Sequence, residues 1–125
     1  MAYRMNKWQK QWLEALESGE YRQTVQKLRD DNGFCCLGVA CEILDIPSAK
    51  KVSAWMYDGC YIYASAEVVQ KLHLHDSDGG LATLKLGSLA NMNDTGSTFA
   101  QIAKFIRENP DQVFANYVGA EEGKR

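Results

Sequence analysis

Three cysteines fall within seven positions, Cys35, Cys36 and Cys41, in the apolar run GFCCLGVAC of a chain of 125 residues. With Cys60, His73 and His75 they supply the residue types for three chemistries. Zinc is the first. Structural zinc sites draw on pairs such as C-x2-C or H-x3-H presented on short loops, and adjacent cysteines on a helix point in different directions. A thiol nucleophile is the second. A cysteine opening a buried helix has its thiolate favoured by the helix dipole, so Cys35 or Cys36 would attack, with His73 or His75 as base. No orienting third group stands out, although Asp76 and Asp78 lie nearby in sequence. Core filling is the third. Reduced cysteine is among the most buried residue types, and the apolar neighbours favour this reading. No metal ligand, cofactor or catalytic residue is assigned.

The elements that hold these residues can be read from periodicity. Residues 5–18 form an amphipathic helix, with Trp8, Trp12, Ala15 and Leu16 at helical spacing and Ser18-Gly19 as its stop. Residues 21–29 read as extended and lead into a turn at Asn32-Gly33. In the helix expected over 35–45, Phe34, Leu37, Val39, Ala40, Ile43 and Leu44 cover nearly the whole circumference, so it is central and buried. Gly38 costs about 1 kcal/mol there relative to alanine and is tolerated where another element comes close. Ile46-Pro47 ends the helix. Residues 48–64 read as loop and strand, with a turn at Asp58-Gly59 and strand composition over Cys60–Tyr63. Ser65 caps a helix from Ala66, and HDSDGG is a polar loop. LATLKL alternates as a strand would. SLANMND reads as a short helix, and Thr98 and Gln101 have capping-box spacing before a helix that Asn109-Pro110 stops. Arg22, Lys27 and Arg29 read as a solvated strand edge.

The expected fold is therefore α+β: one compact domain over 1–118, about four helices on a small antiparallel sheet, and a flexible tail over 119–125. The hydrophobic fraction is 46% and the charged fraction 24%, which suits a globular core without disulfides or metals. The net charge of −2 argues against a general nucleic-acid binder. A helix-turn-helix over 88–106 would present Lys104 and Arg107 but also Glu108, so an αα-corner with Asn93 and Asp94 bracing its turn is favoured. No stretch reaches the roughly 20 apolar residues that span a bilayer, and no apolar run of signal-peptide length opens the chain. Both features point to an intracellular protein with no membrane partner and with reduced thiols. There is no Gly-rich phosphate loop, H-E-x-x-H or G-x-S-x-G.

The stretch WLEALESGEYRQ, followed by LRDDNGFCCLGVACE and then MNDTGSTF with Ile102-Ala103, is similar to a group of small tailed-bacteriophage and prophage proteins. That group carries W-x-x-A-L-x-S-G-x-Y-x-Q, then F-C-C-L-G-V-x-C, then L-N-D-x-G-x-S-F-x-x-I-A. Met92 stands where the pattern has leucine. The resemblance covers roughly residues 8–45 and 65–107, and it implies a phage origin and the host bacterial cytoplasm as location. Small acidic phage proteins often act on host immunity. The expected function is then a non-enzymatic phage accessory protein in counter-defence, a viral protein of immune evasion that sequesters a nucleotide-derived immune signal. Such a ligand wants aromatic faces and phosphate donors. Trp55 and Tyr57, with Tyr61 and Tyr63, would stack. Arg22 and Gln23, with Lys27, would donate, and Asn93 and Asp94, with Ser97, would read ribose hydroxyls. The pocket would lie in one chain or between the subunits of a homo-oligomer. Two alternatives stand beside it: direct inhibition of a host defence protein, and a papain-like cysteine hydrolase or transferase using Cys35 or Cys36.

Overall fold

A computed structural model describes residues 4–115, the side chain of Leu84 apart. The expected tail over 119–125 lies outside the described residues. The first helix, α1 (Lys7–Ser18), starts at Asn6, which forms a capping box with Gln9, and stops at Gly19 with φ of 79°. It buries Trp12, Leu13 and Leu16. Two side chains at its start reach across the fold: Asn6 Nδ2 donates to the Lys71 carbonyl at 2.9 Å and Gln9 Nε2 to the Leu72 carbonyl at 2.8 Å. They satisfy the last carbonyls of α3 (Ala66–Leu72), which that helix cannot pair itself.

The cysteine run becomes α2 (Cys36–Ile43), with every residue from Cys36 to Cys41 buried. Cys35 is its N-cap, and its Sγ accepts from the Gly38 amide at 3.3 Å. Gly38 is required rather than tolerated. A Cβ there would overlap the Leu28 carbonyl, which runs against the helix and accepts from the Cys35 amide at 3.0 Å.

The sheet is antiparallel, in the order β2-β1-β4-β3. β1 (Arg29–Asp30) and β2 (Gly33–Phe34) form a hairpin whose turn is held by Asp30 Oδ1, which accepts from the Asn32 and Gly33 amides. β3 (Ser48–Lys51) and β4 (Ala54–Tyr57) form a second, in register from Ser48↔Tyr57 to Lys51↔Ala54. One bridge, Asp30↔Ala54, joins the two hairpins. Two expected strands are not strands. Cys60–Tyr63 has the composition, but Tyr57 and Cys60 close a tight turn by mutual backbone bonds and the chain leaves the sheet. The Tyr61 carbonyl then accepts from the Leu28 amide at 2.7 Å. LATLKL folds into a 3-10 turn at Leu84–Leu86, within a loop closed by the Leu81 amide on the Gly87 carbonyl.

The C-terminal half is helical. α4 (Leu89–Asp94) is capped by Ser88, and α5 (Phe99–Glu108) by the Thr98–Gln101 capping box. Asn109-Pro110 stops α5 as expected, but Pro110 also opens α6 (Pro110–Val113), because proline suits the first turn of a helix. Among the described residues there are thus six α-helices, where about four were expected. The fold is α+β, with a small sheet beside the helices and a core that includes Trp12, Leu37, Tyr57, Leu89, Ile102 and Phe114.

Candidate functional site

The thiols are the first test of chemistry. Cys35, Cys36 and Cys41 are buried and unpaired, and Cys60 is half-buried. Burial pushes the Cys35 thiol up to about 11 against the pull of the Gly38 amide, and the Cys41 thiol up to about 12. Burial raises Cys36 as well, with the neighbouring Cys35 adding to it. A nucleophile needs the opposite shift, so these thiols are protonated at neutral pH. Among the described residues, no three His, Cys, Asp or Glu side chains come together to hold a metal ion. His73 ends α3 in the left-handed conformation.

The six residues singled out for a ligand do not form one site. Gln23 and Asn93 meet in the interior. Gln23 Nε2 donates to Asn93 Oδ1 and to the Ser97 carbonyl, each at 2.8 Å, and Gln23 Oε1 accepts from the Phe99 amide at 3.2 Å. Asn93 Oδ1 also accepts from the Cys36 amide at 3.2 Å, and its Nδ2 donates to the Thr24 carbonyl at 2.8 Å. This network caps α2 and α5 at once. Asn93 thus braces far more than its own turn.

Trp55 and Tyr57 sit on β4. The Arg29 guanidinium lies 3.9 Å over the Trp55 ring and 4.7 Å from Phe34, and Lys50 lies 4.8 Å from Trp55. Tyr57 is fully buried and its hydroxyl donates to Glu42 at 3.0 Å, so its ring offers no face to a ligand. Burial raises its pKa, Arg29 opposes that and Glu42 adds to it. Arg22 is exposed, and its backbone carbonyl accepts from the Phe34 amide at 2.8 Å.

Asp94 stands elsewhere. Its Oδ1 accepts from the Gln26 amide at 2.8 Å, pinning a loop in which Gln26 has φ of 71°. That loop, the segment at 61–63 and α4 wall a cleft of two adjoining compartments. The inner one, about 210 Å³, has Cys35 in its wall with Tyr63, Asp78, Ser88 and Asn91. The outer one, about 600 Å³, is more open and mainly apolar, with Ala54 and Tyr61 in its wall. Gln26, Lys27, Ile62 and Asp94 line both and mark the junction. Beside it, Val25, Tyr61, Ile62 and Tyr63 are 45%, 37%, 50% and 53% exposed.

Of the six, Asp94 alone lines the cleft, together with Lys27, Tyr61 and Tyr63 from the wider aromatic and basic set. Asp78, Ser88 and Asn91 also line the cleft and were not among the residues singled out. Ser88 is the N-cap of α4, where its Oγ accepts from the Asn91 amide at 3.0 Å, and that structural role gives no sign of a cavity. Asp78 belongs to the polar loop HDSDGG, whose composition was the one available signal.

A family model described as "Domain of unknown function (DUF8296)" matches residues 5–110, so the chain belongs to that family. No curated protein and no solved structure matches it. Among the described residues, no helix is long and apolar enough to cross a membrane.

Proposed function

We propose that this member of the DUF8296 family is a non-enzymatic binding protein that holds a nucleotide-derived small molecule in the cleft between the 25–28 loop, the 61–63 segment and α4. The observation that carries the reading is the division of the cleft. A mainly apolar groove beside Tyr61 suits a planar base, and the adjoining polar chamber, with Asp78, Ser88, Asn91 and Asp94, suits a hydroxylated sugar. The raised pKa of the Cys35 thiol in the chamber wall favours binding over covalent chemistry. On the resemblance to phage proteins, the role of such binding is to sequester an immune signal in the infected host.

A second reading has its own support. The exposed run Val25, Tyr61, Ile62 and Tyr63 is a surface on which a host defence protein would dock directly. Native mass spectrometry of protein purified from infected cells separates the two. A bound mass of nucleotide size, lost on denaturation, is the expected result. A stoichiometric host protein with no small molecule would replace the first reading by the second.

A further inference from the structure

Resting on that reading, we infer that the preferred ligand is a nucleoside bearing at most one phosphate, bound with its sugar in the inner chamber and its base in the outer groove. Charge decides the phosphate count. The residues lining the two compartments include two carboxylates, Asp78 and Asp94, and one ammonium, Lys27. A diphosphate or a cyclic dinucleotide would bring two or more negative charges into a cleft whose own lining is net negative. Phosphate sites are instead built from several cations or convergent amides. A sugar diol has the opposite demand, since its hydroxyls donate well to carboxylates.

Position decides the orientation. Asp78, Ser88 and Asn91 line only the inner chamber, whose volume of about 210 Å³ suits a ribose. Ala54 and Tyr61 line only the outer groove, where the apolar wall fits a base. Lys27 lies at the junction with Asp94, so a single phosphate meets its ammonium there without entering the inner chamber that Asp78 lines.

Isothermal titration calorimetry on the full chain tests this with one panel: the four ribonucleosides, their 5′-monophosphates and 5′-diphosphates, the 2′,3′-dideoxynucleosides and a cyclic dinucleotide. At least one nucleoside or monophosphate should bind about tenfold or more tighter than its diphosphate and the cyclic dinucleotide. Its dideoxy form should lose about tenfold, the scale of one charge-assisted hydrogen bond. Asp78→Asn should remove most of the diol preference, and Lys27→Ala the monophosphate's advantage over the nucleoside. Tighter binding of a diphosphate or cyclic dinucleotide overturns this inference and leaves the proposed function standing. Failure of the whole panel to bind overturns both.

Discussion

Cys35, Cys36 and Cys41 differ from ordinary thiols in one measurable respect. Burial holds the neutral form in the folded state, up to about 11 for Cys35 and about 12 for Cys41. In the unfolded chain each thiol ionises at about 8.5. Below that pH both states are protonated and the thiols leave stability unchanged. Above it the unfolded state gives up protons that the folded state retains, so stability falls as pH rises, through the interval from about 8.5 to 11. Each thiol contributes at most about 1.4 kcal/mol per pH unit in that interval. Urea midpoints at pH 8, 9 and 10 should fall steadily, and Cys41→Ala should flatten the decline. A midpoint independent of pH over this range would mean that the thiols are more open to water than the fold places them.

Among the elements, α1 and α3 are joined by polar side chains as well as by apolar packing. The Gln9 amide donates to the Leu72 carbonyl and Asn6 to the Lys71 carbonyl, while each also caps the other's backbone through the box at the start of α1. Gln9→Ala leaves a buried carbonyl without that donor and should cost about 2–3 kcal/mol. Asn6→Ala should cost about 1–2 kcal/mol. Because the two share one network, the double variant should lose less than the sum, and chemical denaturation of the four proteins measures the difference. Additive losses would mean that the two contacts are independent. Such long-range links divide what the sequence discloses from what it hides. The caps at Ser65 and Thr98 and the buried helix at 36–43 were legible because each is set by residues three or four apart. The strand at 54–57 was not, because AWMY and CYIY have equal claims on composition, and only the turn at Asp58-Gly59 decides which stays in the sheet. Asn93 is the clearest case in the site. Its spacing says turn, yet its partner Gln23 lies 70 positions away, and nothing local shows that the two side-chain amides together cap two helices. The cleft was equally hidden, because its walls come from two loop segments and α4, brought together by the fold.

For the molecule as a whole, the question is whether the cleft exists for the fold or for a ligand. Lys27, Tyr61, Tyr63 and Asn91 are exposed, and the buried clusters that hold the helices together do not include them. Substitutions at such positions ordinarily change stability by no more than about 0.5 kcal/mol. Asn93 is the internal control, since it is buried with several partners and its loss should unfold much of the α2–α4–α5 corner. A ligand that binds only the folded state adds about 2.7 kcal/mol at a hundredfold excess over Kd. For a domain of this size that is a rise in Tm of roughly 10 °C. Tyr63→Ala should therefore leave the apo Tm within about 1–2 °C of the parent and remove most of the ligand-induced rise. Asn93→Ala should lower the apo Tm by far more. If Tyr63→Ala instead lowers the apo Tm as Asn93→Ala does, the tyrosine is a structural wall, and the inner chamber it lines loses its case as a binding site. The prediction separates a surface kept open for a partner from one left open by incomplete packing, because only the former changes binding without changing the fold.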